Sequence, residues 1–201
     1  MSALPVNFSS DPIEQFNHWF EDAKACPAVR QANAACLSTL DVDGYPDGRM
    51  VLLKQHDARG FVFFTNLESV KGRSLSAVPR ASLTFYWEPL NRQIRIQGNV
   101  ERVCDDEADA YWSTRPRLSQ LGAWASQQSA PLDRLRTFIQ RLRAAEQRFG
   151  KEKVSRPPYW TGLRIVPHKI EFWRSRRGRL HERFIYRKQK KFTWIPGRLY
   201  P

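Results

Sequence analysis

The sequence carries cations at spacings suited to holding phosphate. Arg49-Met50-Val51-Leu52-Leu53-Lys54 sets one at each end of an apolar run. Side chains alternate along a strand, so Arg49 and Lys54 face opposite sides unless a bulge re-aims one. They then serve different ligand groups, or they are simply charged strand ends in solvent. The segment Phe64-Thr65-Asn66-Leu67-Glu68-Ser69-Val70-Lys71-Gly72-Arg73 runs from a strand into a helix start. Hydroxyls, backbone N–H groups and Lys71 there make a seat for phosphate, and simple helix capping explains the same residues. Tyr111, Arg115 and Ser119 recur every fourth residue, which aligns them on a continuous helix. Pro116 pushes Arg115 out of helical geometry. A helix ending near Arg115 and a second starting at Pro116 can still bring the three together. Gly122–Ser129 adds amides and hydroxyls in a loop, including Gln128 and Ser129. In an extended strand Arg179, His181 and Arg183 share one face. Three such groups repel one another unless an anion lies opposite, the alternative being a frayed basic edge.

Other chemistries lack their residues. The four histidines are scattered, with no His-Glu-x-x-His, so no metal site is expected. There is no Gly-x-Gly-x-x-Gly, no phosphate loop ending in Gly-Lys-Ser/Thr and no Gly-x-Ser-x-Gly elbow. Cys26, Cys36 and Cys104 are odd in number and form no Cys-x-x-Cys, which fits a reducing compartment. An enzyme with this inventory draws its reactivity from a bound organic cofactor.

These residues must be positioned by a chain of 201 residues, a length that favours one domain. A hydrophobic share of 41% and a charged share of 26% exclude disorder as the overall state. No apolar run reaches the ~18 residues of a membrane span, and no secretory leader is seen at the start, so a cytoplasmic location is expected. A loose arm is expected over residues 1–10, followed by one domain over 11–201. Ser10-Asp11-Pro12 opens a helix with Ile13, Phe16, Trp19, Phe20 and Ala23 on one face. Strands are expected at 34–40, 50–53, 61–64, 81–87 and 93–100, with a short helix at 67–77. Helices are expected at 105–113 and 131–149, and strands again at 162–166, 169–173, 183–186 and 192–195. The class is therefore α+β, with an antiparallel barrel or sandwich and peripheral helices.

Taken in order, five segments resemble one family. They are RMVLLK at 49–54, FTNLESVKGR at 64–73, RQIRIQG at 92–98, YWSTRPRLSQLGAWASQQS at 111–129 and EFWRSRRGRLHERFIY at 171–186. The resemblance is to pyridoxine/pyridoxamine 5′-phosphate oxidases, and it runs from about residue 11 to the C-terminus. It implies an FMN-binding split β-barrel that forms a homodimer with flavin at the subunit interface. It implies oxidation of a phosphorylated pyridine, pyridoxine or pyridoxamine 5′-phosphate, to pyridoxal 5′-phosphate by molecular oxygen, releasing hydrogen peroxide. By resemblance, FMN contacts fall on Arg49, Met50, Val51, Leu52, Leu53, Lys54, Phe64, Thr65, Lys71, Gln93, Gln128, Ser129, Trp173 and Arg183. Substrate contacts fall on Lys54, Tyr111, Arg115, Ser119, Arg179, Leu180 and His181, with Arg179 and His181 at the reacting ring. Arg49 and Lys71 would hold the FMN phosphate, and Lys54, Tyr111, Arg115 and Ser119 the substrate phosphate. Three departures stand out: Val70 where the family usually has Arg, Gln31-Ala32 where an acid and Pro are common, and a short N-terminal arm.

Two rivals accompany this reading. One is a related split-barrel flavoprotein, such as a phenazine-type oxidase or a non-catalytic flavin binder. The other follows from the net charge of +13, of which nine basic residues and one acid lie in 174–191. Such a stripe suits nucleic acid. Its interleaving with the flavin-site residues argues against that partner.

Overall fold

The computed structural model describes residues 8–189 and 193–201. Asp11 caps helix α1 (Pro12–Ala25) by accepting the Ile13 N–H at 2.7 Å. This is the start that Asp-Pro signals, since the side chain satisfies an N–H left over at the helix end. The apolar face of α1 then plugs a barrel. Phe16 meets Phe61 and Phe85 at ring distances of 4.9 and 5.4 Å, and all three are fully buried. Each such ring contributes roughly 1.5–3 kcal/mol by leaving water.

The strands are β1 (Ala34–Leu40), β2 (Pro46–Leu52), β3 (Gln55–Asp57), β4 (Gly60–Asn66), β5 (Arg80–Trp87), β6 (Arg92–Arg102), β7 (Trp160–Arg174), β8 (Glu182–Lys188) and β9 (Trp194–Leu199). They form one antiparallel sheet in the order β2-β1-β5-β6-β7-β4-β3, with β8 on β7 and β9 on β8. Helices α2 (Val70–Ala77), α3 (Asp105–Ser113), α4 (Arg117–Ala125) and α5 (Leu135–Phe149) lie around it. The α+β antiparallel split barrel is the architecture that the sequence leads one to expect. No helix among the described residues is long and apolar enough to cross a membrane.

Strand β7 organises the sheet. One edge pairs with β4 over its first residues and with β8 over its last, while the other edge follows β6. The sequence suggests two strands here, broken near Pro167-His168. The structure shows one, because a register shift opposite Gln97/Gly98 leaves His168 as an extra residue. Gly98 permits that bulge: a Cβ there would stand 2.1 Å from the Val166 carbonyl oxygen.

Other boundaries move as well. Helix α5 begins at Leu135 rather than Pro131, because Ser129 takes φ 70° and Arg134 is extended at φ −146°. Strand β2 begins at Pro46, drawn into register with β1. Arg179, His181 and Arg183 do not share a strand face. Arg177–Arg179 is a 3-10 turn with Arg179 at φ 61°, His181 precedes the strand, and only Arg183 lies in β8. Residues 1–7 of the expected arm, and Lys190, Lys191 and Phe192, lie outside the described residues. Two residues near the arm's end are packed: Phe8 stacks on Phe184 at 3.6 Å, and the Ser9 carbonyl accepts from the Tyr186 hydroxyl at 2.6 Å.

Candidate active site

A cavity of about 630 Å³ opens where the ends of β2 and β4 meet α2, α3 and α4. At one end stands the start of α2. Ser69 caps that helix, with its Oγ accepting the Gly72 N–H at 3.2 Å and donating to the Asn66 carbonyl at 2.6 Å. Gly72 is required for the close approach, since a Cβ would fall 2.2 Å from the Leu67 carbonyl oxygen. Lys71 Nζ donates to Gln128 Oε1 at 3.1 Å and Ser69 Oγ at 3.4 Å, and Thr65 Oγ1 reaches the same Gln128 oxygen at 3.5 Å. These hydrogen-bond acceptors are neutral, so they leave the ammonium charge uncompensated. Burial holds the Lys71 ammonium below the ordinary lysine range, and the nearby Arg49 guanidinium acts in the same direction. A doubly charged phosphate is the kind of ligand that relieves both effects. Arg49 itself is turned to the Thr39 hydroxyl at 2.7 Å and to the Asp47 carboxylate.

The other end is built on rings. Phe64 stacks on Tyr111 with centroids 4.0 Å apart and on Trp160 at 5.2 Å. Gly162 makes room for this wall, because a Cβ there would meet the Phe64 ring at 2.8 Å. The Lys54 ammonium lies 5.8 Å from the Tyr111 ring centroid. Helix α3 ends at Ser113 and α4 starts after Pro116, and the break turns Arg115 back toward Ser119, whose carbonyl accepts from Nη2 at 3.3 Å. Arg115 Nη1 is buried without a protein partner, and burial lowers the pKa of the guanidinium. An orphaned donor of this kind is costly unless an acceptor arrives.

The structure thus brings Met50, Val51, Leu52, Lys54, Phe64, Thr65, Lys71, Tyr111, Arg115, Ser119 and Gln128 to one cavity. Leu53 instead belongs to the barrel core, and Ser129 lines an adjoining hollow. Ser126, from the Gly122–Ser129 segment, also lines the cavity, whereas Trp160 and Thr114 on its wall are not singled out by sequence reading. Trp160 had a local signal in the aromatic pair Tyr159-Trp160 at the start of a strand.

A second group lies elsewhere. Gln93 pairs across the sheet with Trp173, and Trp173 with Arg183. The Trp173 and His181 rings are 4.7 Å apart, and His181 Nδ1 accepts the Arg176 N–H at 3.3 Å. Arg183 is held by Glu171, Nε at 2.8 Å and Nη2 at 2.7 Å from the same oxygen, while Arg95 approaches the other oxygen at 3.5 Å. Arg179 and Leu180 are exposed beside them. Along β7, Trp173 is thirteen residues from the cavity's Trp160, about 43 Å of strand at ~3.3 Å per residue. No hydrogen bond, ion pair or ring contact joins the two groups among the described residues.

A split barrel with two cationic ends to one aromatic-walled cavity defines a flavin-binding oxidoreductase fold, and comparison with known proteins agrees. Residues 22–174 match the family model described as pyridoxamine 5′-phosphate oxidase, and residues 160–201 match the pyridoxine 5′-phosphate oxidase C-terminal dimerisation region. The chain belongs to the pyridoxamine 5′-phosphate oxidase family. It is 50% identical over 194 residues to the pyridoxine/pyridoxamine 5′-phosphate oxidase of Azorhizobium caulinodans, covering 96% of this chain and 91% of that one. A structure of PhzG from Burkholderia lata with tetrahydrophenazine-1-carboxylic acid superposes with a TM-score of 0.90 at 29% identity, covering 100% and 98% of the two chains. An FMN-binding protein of Nostoc punctiforme shares the fold, with a TM-score of 0.74 at 15% identity over 100% and 99%.

Proposed function

We propose that this chain is an FMN-dependent oxidase of pyridoxine 5′-phosphate and pyridoxamine 5′-phosphate, with residues 11–201 acting as one flavin-binding unit. The observation that carries the reading is the pair of cationic ends on one cavity, above all the buried and unpartnered Arg115 Nη1. The residues present fit FMN. Lys71, Thr65 and Gln128 at the α2 start, with Arg49 behind them, would hold its phosphate, while Met50, Val51 and Leu52 present strand backbone along the cavity.

At the other end, Lys54, Tyr111, Arg115 and Ser119 would bind the substrate phosphate through charge-assisted bonds. The wall of Phe64, Tyr111 and Trp160 keeps water from that end and fixes the ester's direction. Gln93, Trp173, Arg179, Leu180, His181 and Arg183 then come from a second copy of the chain, which places flavin and substrate at a homodimer interface. The match to a dimerisation region over residues 160–201 supports this, since it covers all of that group except Gln93. Arg179 and His181 orient the pyridine ring, and Arg183, pinned by Glu171, meets the cofactor. Bound FMN would supply the two-electron redox chemistry, taking a hydride equivalent from the substrate's C4′ carbon and passing the electrons to molecular oxygen to give hydrogen peroxide. The alcohol yields the aldehyde directly, and the amine yields an imine that water hydrolyses to the aldehyde and ammonia. The protein contributes position and charge.

The likeness to PhzG favours testing a second reading, oxidation of a reduced phenazine carboxylate. Purified protein is examined for a flavin spectrum and for peroxide release on both vitamin B6 phosphates and on tetrahydrophenazine-1-carboxylic acid. Turnover of the phosphates is expected. Peroxide release on the phenazine alone sinks the proposal, and so does a protein that stays colourless with added FMN.

A further inference from the structure

Arg115 is half-buried, yet no carboxylate holds it among the described residues. Its neighbours show that the chain does anchor arginines with acids nearby. Arg164 on β7 is gripped by Glu107 at 2.7 Å, and Arg156 just before β7 by Asp105 at 2.7 Å and Asp109 at 2.5 Å. Around Arg115 the support is aromatic instead. Its guanidinium carbon stands 4.7 Å from the Trp160 ring centroid and 5.2 Å from that of Trp112. The two indoles meet edge to face, 4.9 Å apart at 67°, and form a notch around it. A carboxylate in that place would hold the guanidinium but compete with any anionic ligand for it. A ring face attracts the cation and leaves its charge uncancelled.

We propose that Trp160 is a positioning residue: its ring holds Arg115 in place of a carboxylate and keeps the guanidinium available to a phosphate ester. The inference rests on the substrate assigned under Proposed function. The same slab of rings continues to the second cation, since Phe64 bridges Trp160 and Tyr111, and Lys54 lies over Tyr111. Both cations at this end are therefore carried by aromatic faces.

The test compares wild type with Trp160→Leu and Trp160→Phe, each alone and combined with Arg115→Met. Two quantities are read on the flavin-loaded protein: KM and kcat with pyridoxamine 5′-phosphate, and calorimetric affinity for inorganic phosphate. Trp160→Leu is expected to weaken phosphate binding and raise KM by about 3- to 30-fold, with the loss falling on KM rather than kcat. Trp160→Phe, which keeps a ring face, recovers most of that loss. In the Arg115→Met background, Trp160→Leu adds less than about two-fold, because the group it acts through is gone. Unchanged phosphate affinity in Trp160→Leu overturns the inference. So does a loss of full size in the Arg115→Met background, which makes Trp160 a packing residue only. Should Trp160→Leu fail to fold, the Trp160→Phe pair carries the same comparison with a smaller expected change. Should wild type oxidise neither vitamin B6 phosphate, the assigned substrate falls, and the phosphate measurement still decides the role of Trp160.

Discussion

Lys71 Nζ lies 3.1 Å from Gln128 Oε1, tying the start of α2 to the loop after α4. The bond crosses 57 positions of sequence and closes one end of the cavity. Replacing Gln128 by Ala removes an acceptor that orients the ammonium. We expect FMN affinity to fall about 2- to 10-fold, read by flavin fluorescence titration. Unchanged affinity would remove Gln128 from the cofactor seat.

The ammonium of Lys71 also predicts a pH limit. Burial lowers its pKa below the ordinary lysine range, so in the free protein the charge is present below that lowered value and lost as pH rises through it. FMN binding should therefore begin to weaken at a lower pH than an ordinary lysine allows. Lys71→Arg should push this limb to higher pH, because guanidinium stays charged. Titrations across the alkaline range that superpose for the two proteins would count against the assignment.

Val70 is the first residue of α2, half-exposed beside the proposed phosphate seat. Arg73, one turn on, donates one guanidinium N–H to the Glu68 carbonyl, a neutral acceptor that leaves its charge uncancelled. Val70→Arg should add a charge-assisted bond worth ~1.5–3 kcal/mol, tightening FMN about 10- to 100-fold. A flavin titration showing equal or weaker binding refutes this.

Gly162 carries the Phe64 ring against its backbone. An added Cβ would meet Phe64 and Val103 at 2.8 Å each. Gly162→Ala should cost about 1–3 kcal/mol of stability through this overpacking. It should also tilt the ring wall and raise KM for the phosphorylated substrate. A thermal melt and a KM both matching wild type would show that Phe64 has room to move.

Tyr186 is buried and donates to the Ser9 carbonyl at 2.6 Å. Burial pushes its phenol up to about 12 from an ordinary 10.0. A raised folded-state pKa gives stability that is complete below the unfolded value and is lost as pH rises toward the folded one. Alkaline unfolding should thus steepen between pH 10 and about 12 in wild type. Tyr186→Phe should flatten that part of the profile. Parallel profiles for the two proteins would deny Tyr186 this role.

Much of the fold is legible locally. Asp11-Pro12 punctuates α1, and the segments 34–40 and 93–100, set off by turn signals, mark strands, since each signal acts over a few residues. The convergence of Tyr111, Arg115 and Ser119 is legible too, because Pro116 restarts a helix rather than ending the element. Continuity of β7 through Pro167 is not, because it depends on a bulge facing Gly98 on another strand. The role of Trp160 is equally hidden: its partners come from α3, β4 and the α3–α4 break, brought together only by folding. Nor does the linear order show that the cationic residues separate into two groups. Strand alternation around Arg179 and His181 misleads because a turn with positive φ interrupts it.

The length of β7 has a genetic consequence. One strand carries Trp160 at its start and Trp173 at its end. If the two groups meet across a dimer, as proposed, each chain would supply a front half to one active site and a back half to another. Under the dimer reading, an allele damaged at Arg115 and an allele damaged at Arg179 are each dead alone. Expressed together they form mixed dimers, in which one site inherits both lesions and the other inherits neither. Two null alleles should then complement within a single gene, whereas two alleles damaged on the same half should not.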